Sequence, residues 1–89
     1  MAKANVDPDE LVRFARSLTR YNQAVTEMTT QLRGQLRRLE GSWQDQEQAK
    51  FSQEFDDTVR VIGRFTEHAE THARTLVEKA KHIEAYLKR

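Results

Sequence analysis

A break of five residues, Gly41-Ser42-Trp43-Gln44-Asp45, separates two long stretches in which apolar residues recur with helical spacing, and it points to an antiparallel two-helix hairpin. Glycine suits the left-handed position that closes a helix, and Ser42 with Asp45 three residues on suits the start of the next. Neither cap needs an indole. Trp43, the only tryptophan, therefore calls for packing at the hairpin tip, against Leu39 and Phe51, or for recognition by a partner.

The first helix begins at Asp7-Pro8-Asp9-Glu10. Asp caps, Pro is tolerated at the first helical position, and the two further carboxylates complement the positive end of the helix dipole. Residues before Asp7 read as a loose tail. Leu11, Phe14, Leu18, Tyr21, Val25, Met28, Leu32, Leu36 and Leu39 then follow in steps of three and four, a heptad seam that runs to Glu40. Arg37 and Arg38 fall in the last turn, where positive charge is favoured, and Gly41 is the stop. In the second stretch Phe55, Ile62, Ala69, Leu76 and Ile83 recur at sevens, flanked by Phe51, Val59, Phe65, Ala73, Ala80 and Leu87. That stripe is wider than one seam requires, so this helix is expected to touch both its own partner helix and another chain. The expected organisation is one all-α domain over residues 1–89, with helices over about 8–40 and 46–87 and a turn at 41–45, dimerising into a four-helix bundle.

Length makes the same demand. A hairpin of 89 residues buries one stripe per helix and cannot enclose a core, so self-association or a partner is expected. Fifteen Lys and Arg against fourteen Asp and Glu leave almost no net charge, which argues against nucleic acid and against an anionic membrane surface as the main partner. Cysteine is absent, so disulfides, thiol catalysis and thiolate metal sites are excluded together. No window approaches the ~20 apolar residues of a membrane span, which argues against membrane insertion, and the N-terminal residues lack the apolar run of a cleavable signal peptide.

Little chemistry is available. His68 and His72, four apart, share a helical face and could chelate a metal with a further ligand. In the run His68-Ala69-Glu70-Thr71-His72, however, Ala69 stands where a zinc-protease helix carries its glutamate, and Ala69 is also a seam position. Both histidines are read as interfacial packing or hydrogen-bonding groups, with no metal and no cofactor. Glu67, Glu70, Arg74, Glu78, Lys79 and Lys81 read as a solvated mixed-charge surface with some pairing at three or four residues. Arg33, Arg37 and Arg38 form the densest basic cluster, explained by the helix end and also able to meet an acidic partner. Gly34 and Gly63 fall inside the helices, off the main seams. There is no Gly-rich phosphate loop and no nucleophile with a positioned base, so no enzymatic activity is expected.

A short chain, two antiparallel helices, a lone Trp43 in the turn and Phe51 eight residues beyond it together resemble the WXG family of early-secreted-antigen-like proteins, small substrates of type VII (ESX) secretion. The resemblance covers nearly the whole chain, and Asp45 stands where the Trp-x-Gly motif has its glycine. It implies a hairpin that pairs with itself or with a second WXG-like chain, and export without a signal peptide by a membrane ATPase, from a cytoplasmic pool. It assigns recognition to the turn, Trp43 with Gly41 and Asp45. The dimer or hairpin interface falls to Leu11, Phe14, Leu18, Tyr21, Val25, Met28, Leu32, Phe51, Phe55, Ile62, Phe65, Leu76 and Ile83. The family's export signal is a Tyr with an acidic residue four positions on; Tyr86 is the candidate, and that position lies one beyond Arg89. This chain would then supply the Trp turn while a partner supplies the tail. The competing expectation is an intracellular helical adaptor or chaperone that pairs with a helix of a larger effector protein.

Overall fold

A computed structural model describes residues 6–88 as two helices, α1 over Pro8–Glu40 and α2 over Gln46–Leu87, joined by a tight turn. The expected tail at residues 1–5 lies outside the described residues. At the start of α1 the Asp7 carboxylate accepts a hydrogen bond from the Asp9 amide at 2.9 Å, Pro8 occupies the first turn, and Asp9 and Glu10 lie where the dipole favours acids. Arg37 and Arg38 occupy the last turn of α1.

The helices lie side by side in a slab of 66 × 22 × 14 Å. One helix with its side chains is about 10–12 Å across. The slab is thus one helix thick, and it has a seam but no interior.

The seam is lined by small residues. Ala15, Ala69, Ala73 and Ala80 are buried, and Leu36 joins them near the turn. Alanine lets two backbones approach closely, and it leaves little apolar area to hide. Leu11, Leu18, Val25, Phe55, Ile62, Leu76 and Ile83 sit at the edges of this seam, half-buried. One polar side chain lies within it: Asn22, 6% exposed, donates from Nδ2 to the Thr66 carbonyl at 3.2 Å, while its Oδ1 has no partner among the described residues. That bond fixes the register of the hairpin, because Asn22 reaches a carbonyl only where Thr66 stands beside it.

The larger apolar side chains are outside. Phe14, Tyr21, Met28, Leu32, Phe51 and Phe65 are each about half exposed or more. Of the expected interface positions, these six make no closed seam within one chain.

Candidate functional site

The turn is built differently from its sequence expectation. Gly41 is right-handed, with φ −65° and ψ −27°, and no residue among those described has a positive φ. The chain leaves α1 by tightening: Gly41 N–H donates to the Arg38 carbonyl at 3.2 Å, and Ser42 and Trp43 N–H both donate to the Leu39 carbonyl, at 3.0 and 2.7 Å. Glycine is suited here by closeness, since a Cβ at position 41 would lie 3.3 Å from the Arg38 carbonyl oxygen. Nor does Ser42 cap α2. Its hydroxyl donates back to the Leu39 carbonyl, and Asp45 is the N-cap, its carboxylate accepting from the Gln48 amide at 2.9 Å. Asp45 thus has a local structural task at the position of the motif glycine.

A polar clasp locks the turn to α2. One Glu40 carboxylate oxygen accepts from Gln48 Nε2 at 3.0 Å and from Ser52 Oγ at 2.6 Å, and Gln48 Nε2 also reaches Ser52 Oγ at 2.7 Å. Gln44 Nε2 donates to the Glu40 carbonyl at 3.1 Å. Charge-assisted bonds of this kind are the stronger sort, and they hold the loop from which Trp43 projects. The apolar pattern carries no signal of this cluster, because every member is polar and the partners sit 8 and 12 residues apart.

Trp43 packs on Phe51 with ring centroids 6.1 Å apart, and Phe51 stacks on Phe55 at 6.2 Å. The indole is half-buried, and its neighbours Phe51 and Leu39 are 46% and 52% exposed. Packing at the tip is therefore present and incomplete: an apolar patch of Leu39, Trp43 and Phe51 remains open to solvent.

The patch continues along one flat face of the slab. Residues seven apart stay on one side of a gently supercoiled helix. Phe14, Tyr21 and Met28 form such a row on α1, and Phe51, Thr58, Phe65 and His72 form one on α2. Tyr21 and Phe65 meet edge to face at 6.2 Å, which puts the two rows on the same face. His68 and His72 are both exposed, and the described residues contain no cluster of three metal-ligating side chains.

The opposite face has charged and polar rims around an apolar floor. A shallow groove of about 600 Å³ has a floor of Val12, Ala15, Ala73 and Val77 and a rim of Arg16, Arg20, Arg74, Glu70 and Glu78. A second of about 570 Å³ follows it, lined by Gln23, Thr26, Glu27, Glu67 and Glu70 among others. Among the described residues the only ion pair is Arg60 with Asp57, so the mixed charges on this surface are mostly solvated rather than paired. Arg33, Arg37 and Arg38 are likewise exposed.

Residues 3–86 match the family described as proteins of 100 residues with WXG. The chain belongs to the WXG100 family. Its fold is that of the secreted protein EsxB from Bacillus anthracis strain Sterne: the wild-type crystal structure superposes with a TM-score of 0.85 at 26% identity, covering 96% of this chain and 99% of that one. The selenomethionine form of EsxB gives a TM-score of 0.82 at 26% identity, covering 97% and 98% of the two chains. No curated protein sequence matches. The hairpin of this WXG100 chain is thus shared with EsxB almost end to end, and no helix of the described residues is long and apolar enough to cross a membrane.

Proposed function

We propose that this WXG100 protein is a non-enzymatic component of type VII (ESX) secretion, exported or co-exported as a dimer. In this reading two hairpins close their aromatic faces into a four-helix bundle, and the Trp43 turn is offered for recognition. The observation that carries it is the inversion of the usual order of burial: alanines fill the seam and aromatic residues lie outside. A hairpin so built gains little from its own packing, and a second layer over Phe14, Tyr21, Met28 and Phe65 supplies the burial it lacks. The secreted EsxB, alike over nearly its whole length, supports the export half of the proposal.

Deleting the membrane ATPase of the secretion system in the source organism tests that half. Loss of the protein from the medium is expected, and unchanged extracellular levels overturn it. The turn is tested by Trp43→Ala. Recognition predicts lost export or partner binding with a melting temperature close to wild type, whereas a role confined to packing predicts a loss of a few kcal/mol with recognition intact. The same exposed face would also serve an intracellular adaptor that covers a helix of a larger protein. That alternative predicts a chain that is partly unfolded or aggregated until its partner is co-expressed.

A further inference from the structure

We propose that the groove on the face opposite the aromatic row is a binding site for a monocarboxylate with an alkyl tail, its head held between Arg16 and Arg74 and its tail laid over Val12 and Val77. The site lies away from Phe14, Tyr21 and Phe65, so it stays open when that face is covered, and it does not depend on the pairing proposed above.

The groove is built with a local two-fold symmetry. Its lining on α1 is residues 12, 15, 16, 19 and 20, and on α2 residues 70, 73, 74, 77 and 78, each 58 further along the chain. In an antiparallel pair of helices, such a constant offset means that a half-turn about an axis perpendicular to the slab exchanges the two sets. The Asn22 to Thr66 hydrogen bond locates that axis. Seven residues before Asn22 is Ala15 and seven after Thr66 is Ala73, so the two alanines stand at the same height, one on each side of the axis. They form a buried floor, 2% and 5% exposed.

Arg16 and Arg74, the next residue on each helix, are exposed and stand on opposite rims, about 3 Å apart in height. Neither has an ion-pair partner among the described residues, although Glu70 and Glu78 each lie one turn from Arg74. Arg20, the third arginine of the groove, turns to Ser17 Oγ at 3.5 Å. Helices packed through small side chains run about 8–10 Å apart, so two guanidinium groups on facing rims can close on one carboxylate from both sides.

The symmetry is broken along the groove. Val12 and Val77 are not each other's mates, yet both lie toward the open end from the alanines, at one height, and make an apolar shelf there. Their mates, Glu70 and Thr19, lie together on the other side, and beyond them Asn22 and Thr66 continue a polar floor toward the turn. Apolar surface therefore leaves the arginine pair in one direction only, which gives the ligand a head and a tail. Three arginines and two glutamates leave the groove one net positive charge. One carboxylate balances it, whereas a polyanion would be repelled by Glu70 and Glu78. At about 600 Å³ the groove is within the range of small-molecule sites, and a shelf one helical turn long suits a single alkyl chain.

Sodium octanoate titrated into the full chain, followed by amide chemical shifts, tests the site. Saturable binding of one octanoate per chain is expected, with shifts centred on Ala15, Ala73 and Val77. Arg16→Gln with Arg74→Gln should weaken it at least about tenfold with helicity kept, since both side chains are exposed. Arg33→Gln with Arg37→Gln, which removes the same charge near the turn, should leave it unchanged. Acetate and octan-1-ol, each carrying half of the ligand, should bind at least about tenfold more weakly than octanoate. Binding that does not saturate, or that survives the changes at Arg16 and Arg74, overturns the site. Loss on Phe65→Asp alone would put octanoate on the aromatic face and overturns it equally. So does cosedimentation with phosphatidylglycerol vesicles that needs both arginines while octanoate goes unbound, an outcome that assigns the pair to a membrane surface.

Discussion

The two flat faces of the hairpin come from the same pair of helices and are both open to solvent, yet one presents Phe14, Tyr21, Met28 and Phe65 and the other Arg16, Arg20, Gln23 and Glu67. Exposure alone does not separate them; side-chain character does. On the second face the charged rims are hydrated, and the apolar floor of Val12, Ala15, Ala73 and Val77 is narrow and carries no aromatic ring. An aromatic face of this length leaves apolar area in contact with water at about 25 cal/mol for each Å² that a partner could cover. The contrast explains why a helical hairpin with good caps, a hydrogen-bonded clasp and an in-register seam still reads as half of a structure.

The comparison breaks most readily at Phe65. Phe65→Asp should abolish pairing and with it the stabilisation that pairing supplies, about 2.7 kcal/mol at a concentration a hundredfold above Kd, read as a fall in melting temperature that no longer depends on concentration. Gln23→Asp on the polar face should shift stability by less than about 0.5 kcal/mol. Equal effects from the two would mean that the faces are not distinct. A loss of similar or smaller size is expected at the seam they share. Ala69→Leu puts three extra carbons where the helices touch, and should cost about 1–3 kcal/mol in urea unfolding, without the selective loss of pairing seen at Phe65. Smallest is Gly63→Ala. Position 63 is exposed, with open space around its missing Cβ, so the added methyl should raise stability by about 0.4–1 kcal/mol. Destabilisation there would indicate a backbone packed against the polar face.

Much of the hairpin is legible in the sequence because its punctuation is local. Asp7 and Pro8, the arginines at the end of α1 and the break before Gln46 act within a turn of their own positions, and the helix limits follow from them. In the N-terminal half of α1, which residues face inward is not legible. Steps of three and four generate two neighbouring rows, Leu11, Leu18 and Val25 beside Phe14, Tyr21 and Met28, and periodicity does not say which row turns toward the second helix. Size suggests that the larger residues go inside. The structure puts Ala15 and Asn22 there, from a third row that periodicity overlooks because its members are small or polar. The capping of the turn departs from expectation for a related reason. Ser42 and Asp45 both fit an N-cap by type, and only the path of the chain decides that Asp45 does the capping. The Glu40, Gln48 and Ser52 clasp leaves no trace in any pattern, since it depends on the helices already being side by side.

The layout of the seam also governs how the molecule comes apart. Its rungs are arranged in series, from the clasp at Glu40 to the groove where Pro8 lies beside Ile83 and Tyr86, and the start of α1 and the end of α2 both lie at that last rung. A force applied to the two ends would therefore load one rung at a time and peel the helices apart, instead of shearing the whole seam at once. Refolding would run the other way, because the shortest loop to close is the one at the turn. In single-molecule pulling, the last contact to open and the first to re-form should be the clasp beneath Trp43.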